Sequence, residues 1–81
     1  METIHLDDFL IDGLLKEDEF RKKIEILDWR QYNNKKVLIK GCTKGPVPIW
    51  SYLIIVAELS QYAKSVFFGE PCSLVKIYSK N

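Results

Sequence analysis

The stretch that decides the fold is Val37-Leu38-Ile39-Lys40-Gly41-Cys42-Thr43-Lys44-Gly45-Pro46-Val47-Pro48-Ile49-Trp50. It opens with an aliphatic run suited to a buried strand and passes through a glycine-flanked cysteine loop. It then enters a helix at Pro48, whose fixed φ suits a first turn. The helix is expected from about Pro48 to Lys64. Its polar positions before Lys64, namely Ser51, Glu58, Ser60 and Gln61, form a narrow stripe, and Trp50, Tyr52, Leu53, Ile54, Ile55, Val56, Ala57 and Leu59 occupy the rest. A helix apolar nearly all round is buried on more than one side. Ser65-Val66-Phe67-Phe68-Gly69 reads as the next strand. A strand, helix and strand of these lengths form a parallel βαβ unit with a right-handed crossover.

Outward from this unit the signals are shorter. Thr3-Ile4-His5-Leu6 alternates as a half-buried strand does, Asp7-Asp8 offers capping side chains before Phe9-Leu10-Ile11, and Asp12-Gly13 marks a turn. Phe20, Ile24 and Leu27 share one face of a first helix. Glu17, Asp18 and Glu19 lie in its first turn and Arg21, Lys22 and Lys23 follow, the order the helix dipole favours. Asp18 with Lys22 and Glu19 with Lys23 have i, i+4 spacing, so this charged face is read as solvated. Trp29 and Tyr32 are expected to close over the core, Asn33-Asn34 to turn into the strand Lys36 to Lys40, and Leu74 to Tyr78 to form a final edge strand guarded by lysine. The expected architecture is α/β, with residues 1–81 as a single domain. A small sheet of three or four strands contains the parallel βαβ unit and packs with two main helices.

Composition narrows the function classes. A net charge of +1 gives no general attraction to phosphate backbones or anionic membranes, so nucleic-acid and membrane partners are not expected. The first eight residues lack the basic flank and apolar core of a signal peptide, and Ile49 to Ala57 is too short to span a bilayer. A cytoplasmic setting follows, and there two cysteines point to metal or redox chemistry or to packing before a permanent disulfide. A chain of 81 residues buries only about 60% of its unfolded surface, so its own core is marginal and a second subunit is the natural support.

In a parallel βαβ unit the loops leaving both strands lie on one edge of the sheet, where open α/β folds place their ligands. Cys42 leaves the first strand there and Cys72 follows the second, so adjacent strands would bring the thiols together for a shared metal, a reversible disulfide or sulfur transfer. Cys42 precedes a helix N-terminus and lies near Lys40 and Lys44, which favour thiolate. Burial as an apolar filler is the competing role for either cysteine. Glu70 is placed to be a further ligand, and Gly41, Thr43, Lys44 and Gly45 form the loop around Cys42. Gly41 and Gly45 do not have nucleotide-loop spacing, and His5 is the sole histidine, so neither a phosphate loop nor a Ser-His-Asp group is indicated.

Ile39-Lys40-Gly41-Cys42 with Pro46-Val47-Pro48, and Phe68-Gly69-Glu70-Pro71-Cys72-Ser73, resemble a bacterial family of domains of unknown function, the one numbered 2480. Asp28-Trp29 with Tyr32, and Leu15-Lys16-Glu17 with Phe20-Arg21, resemble it too. Family members look like two related halves in tandem, and this chain has one copy carrying the features of both. The resemblance implies a homodimer in which two copies stand in for the two halves. It also implies, through neighbouring genes, an association with iron–sulfur assembly. Lys44 stands where the family more often has an acid and Lys76 where it has proline.

The expected function is a thiol or metal accessory, associated with iron–sulfur handling, that presents Cys42 and Cys72 on one sheet edge and has a protein partner in sulfur or metal handling. The alternative is a non-catalytic, homodimerising scaffold with Trp50, Ile54 and Ala57 at its interface. A small-molecule enzyme is the least supported reading, because no general base can be identified.

Overall fold

The computed structural model describes residues 1–10, 13–40, 47–70 and 72–80. Its elements are β1 (Glu2–Ile4), a 3-10 turn (Leu6–Phe9), α1 (Glu17–Ile26), a second 3-10 turn (Trp29–Tyr32), β2 (Lys36–Lys40), α2 (Ile49–Leu59), β3 (Ser65–Glu70) and β4 (Ser73–Ser79). The strands form one sheet in the order β1-β2-β3-β4. β1, β2 and β3 are parallel, and β4 returns antiparallel to β3. The expected βαβ unit is present, and β1 adds a second crossover beside it.

Both crossovers step the same way across the sheet, so their shared handedness puts α1 and α2 on one face. The core shows it: Phe20 and Ile24 of α1 and Ile55 and Leu59 of α2 cluster with Ile4, Val37, Ile39 and Val66 of the strands. Strand alternation turns Leu38 to the opposite face, where it is buried outside that cluster. α1 begins in three acids and its ion pairs are Arg21–Glu17 at 2.9 Å and Lys22–Glu19 at 3.9 Å. All four side chains are well exposed, so these pairs add little stability.

The ends of the elements follow local chemistry. Leu6 is in the first 3-10 turn rather than in β1, and it is among the most buried side chains. Trp29 and Tyr32 are buried, and the Trp29 indole N–H donates to the Ile24 carbonyl at 2.9 Å, tying the second 3-10 turn to α1. Asn34 takes the left-handed conformation at φ 60°, which asparagine tolerates, and its N–H donates to the Tyr62 carbonyl at 2.9 Å. α2 ends at Leu59, earlier than its apolar pattern suggests, and Ser60 to Tyr62 turn the chain into β3.

Gly69 lies at φ +126° near the end of β3, and a Cβ there would collide with the Ser73 carbonyl oxygen. Gly69→Ala is therefore expected to cost about 1–3 kcal/mol, seen as a lower denaturant midpoint at unchanged m-value. Burial, followed by the Glu2 charge, holds the Tyr32 phenol above its ordinary pKa. Burial and then Asp7 do the same for Tyr52. With folded values raised, the unfolded chain loses these protons first. Stability from this source is full below the ordinary tyrosine value and falls as pH rises through the folded values. Alkaline urea titrations should show that fall, with Tyr32→Phe reducing its slope.

Candidate functional site

Two regions of the fold collect features that the core does not need. The first is the carboxyl edge of the three parallel strands. Lys40 at the end of β2 is the register partner of Gly69, so β2 and β3 are neighbours, as a shared cysteine edge requires. Glu70 ends β3 and its carboxylate faces the Lys40 ammonium at 3.6 Å. Any cation held by Glu70 would compete with that pair. Cys72 is a free, exposed thiol in the turn between Glu70 and Ser73. Cys42 and its loop residues Gly41, Thr43, Lys44 and Gly45 lie outside the described residues. Among the described residues no group of three or more His, Cys, Asp or Glu side chains is arranged to hold a metal ion.

This edge also receives a residue that sequence reasoning set apart. β1 pairs with β2 through Ile4 and Ile39, so His5 emerges one residue later, beside the end of β2. It lines a cleft of about 420 Å³ with Asp8, Lys23 and Tyr32. Nothing in the alternation of Thr3 to Leu6 says which strand β1 joins or in which direction, and those two facts bring His5 to this edge.

The second region is the outer surface of α2 and the neighbouring part of β4. Ser51, Ile55 and Leu59 face the sheet and are fully buried. Ser51, one of the residues of the narrow polar stripe, donates its hydroxyl to the Pro48 carbonyl at 2.6 Å, which satisfies it inside the core. Directly opposite, Ile49 is 76% and Leu53 64% exposed, and Ala57 is exposed in line with them. The helix thus buries its serine hydroxyl and presents aliphatic groups to water, the reverse of ordinary partition.

The flanks of α2 differ. Trp50 is half-buried and meets the Phe20 ring edge-on at 5.7 Å, and Ile54 is half-buried against the core. Of the three side chains expected at an interface, Ala57 is therefore the exposed one. On the other flank Tyr52 meets Phe68 edge-on at 5.1 Å, and these rings with Ile49, Leu53, Val56 and Ile77 line an apolar trough of about 340 Å³. Val75 and Ile77 of β4 are 56% and 48% exposed. Ile49, Leu53, Val75 and Ile77 thus add exposed apolar surface along α2 and β4, more than scattered single residues would give.

No described helix is long and apolar enough to cross a membrane. No curated protein and no solved structure gives a significant match to the chain. A family model described as "Protein of unknown function (DUF2480)" matches it twice, over residues 1–39 and 24–80. These matches together span nearly the whole sequence and overlap in the segment running from α1 into β2. The chain belongs to the DUF2480 family.

Proposed function

We propose that this protein is a non-catalytic, self-associating α/β domain that works as a homodimer through the surface formed by α2 and β4. The observation that carries this reading is the inverted partition of α2, with Ser51 buried and Ile49, Leu53 and Ala57 exposed. An apolar ridge beside an apolar trough is stable in water only at a continuing hydrophobic cost, about 25 cal/mol for each Å² left uncovered. The double family match supports the same reading. The two matches overlap over residues 24–39, so part of this single chain answers to the family model twice. A second chain then supplies the second half.

Sedimentation at micromolar concentration should give a dimer. Leu53→Asp, which places a charge on an exposed ridge and leaves the core intact, should weaken it by on the order of 100-fold. A chain that sediments as a monomer throughout this range would overturn the proposal.

A second reading, a thiol or metal accessory with Cys42 and Cys72 as its sulfurs and an iron–sulfur or sulfur-handling partner, is favoured by the adjacency of β2 and β3. In it Cys72 is the accessible thiol and Glu70 an additional ligand, released from Lys40 when a cation binds. Protein purified without oxygen should then carry metal, or show two thiols that react rapidly and lose reactivity together on oxidation. Metal-free protein in which Cys72 alone reacts, at the rate of an ordinary free thiol, would remove this reading.

A further inference from the structure

Resting on the homodimer reading above, we propose that the occupant of the α2–β4 trough is α2 of the second copy, so that two α2 helices lie side by side between two facing sheets. The geometry of the uncovered face points to it. α1 lies on the Trp50 side of α2, whereas the trough flanked by Tyr52 and Val56 opens over β4, whose Val75 and Ile77 are exposed. Helices pack about 8–10 Å apart and β4 lies about one and a half strand spacings, roughly 7 Å, from the line of α2, so one further helix fits beside α2 over the outer edge of β4.

The incoming helix must present an apolar ridge, since no charged residue lines the trough. The outer face of α1 carries Ile26 but also Asp18, Lys22 and Glu25, and desolvating those charges in an apolar trough would be costly. The ridge of α2, Ile49-Leu53-Ala57, runs at i, i+4 and i+8 and ends in a side chain small enough for close approach. Ridge and trough adjoin on one surface, with Ile49 and Leu53 shared between them. A two-fold axis therefore seats each ridge in the other copy's trough and forms a closed, isologous contact.

The competing arrangement joins the unpaired outer edge of β4 to its counterpart, making one continuous sheet. That adds backbone hydrogen bonds but sets the two α2 helices about 20 Å apart, four strand spacings, and leaves both ridges in water.

Cross-linking separates these arrangements. In a chain with Cys42→Ser and Cys72→Ser, two single-cysteine forms, Leu53→Cys and Ile77→Cys, are prepared, one of them isotopically labelled. They are mixed, oxidised mildly and read by mass spectrometry, with sedimentation of the unoxidised mixture alongside. Both sites are exposed, so neither substitution removes a core contact. The expected result is a disulfide joining unlike chains, in excess over either like pair on the order of tenfold, as reach between the two positions across the axis requires. A sedimenting dimer that yields mainly disulfides between two Ile77→Cys chains, or none at all, would overturn the helix-in-trough arrangement while leaving the homodimer standing. A monomer would overturn both.

Discussion

The structure depends on one topological constraint: β2 lies between two parallel neighbours, each reached by a crossover of the same hand. This places both helices on one face and lets Val37 and Ile39 anchor a core fed from either side. β4 then returns antiparallel along the outer edge, beyond the reach of either crossover, so Val75 and Ile77 are left exposed. The uncovered trough is therefore a consequence of strand order rather than of loose packing. A third crossover would have filled the space, but the chain turns back at Glu70 instead.

α2 bears the consequence most directly. Its sheet-facing line, Ser51-Ile55-Leu59, completes the core and gains its stability from close packing. Its outer line, Ile49-Leu53-Ala57, gains nothing within the chain. Because a domain of 81 residues buries a smaller share of its unfolded surface than a large one does, apolar groups left on the outside are a substantial part of what it has to bury. The same helix thus carries both a packed core line and an uncovered apolar line.

The carboxyl edge of the sheet is a separate matter. Three parallel strands end there, and His5, Lys40, Glu70 and Cys72 come to it from distant parts of the sequence. Lys40 and Glu70 form a partly exposed pair there, and Cys72 in the following turn is exposed.

Much of this was legible in the chain itself. The apolar runs at Val37–Ile39 and Val66–Phe68 and the long apolar segment between them specify the βαβ unit, because local periodicity decides strand or helix. The position of Phe20 and Ile24 on one face of α1, the burial of Trp29 and Tyr32, and the turn at Asn34 follow from side-chain chemistry in the same way. Family membership was readable from the Lys-Gly-Cys and Glu-Pro-Cys-Ser segments. What only the tertiary structure decided is orientation and neighbourhood. Periodicity cannot distinguish which apolar side of α2 meets the sheet when nearly every side is apolar, so the burial of Ser51 and the exposure of Leu53 emerge only once the helix is docked. The parallel entry of β1, which brings His5 beside β2, is likewise invisible to alternation, since strand pairing is settled by contacts between residues far apart in the chain.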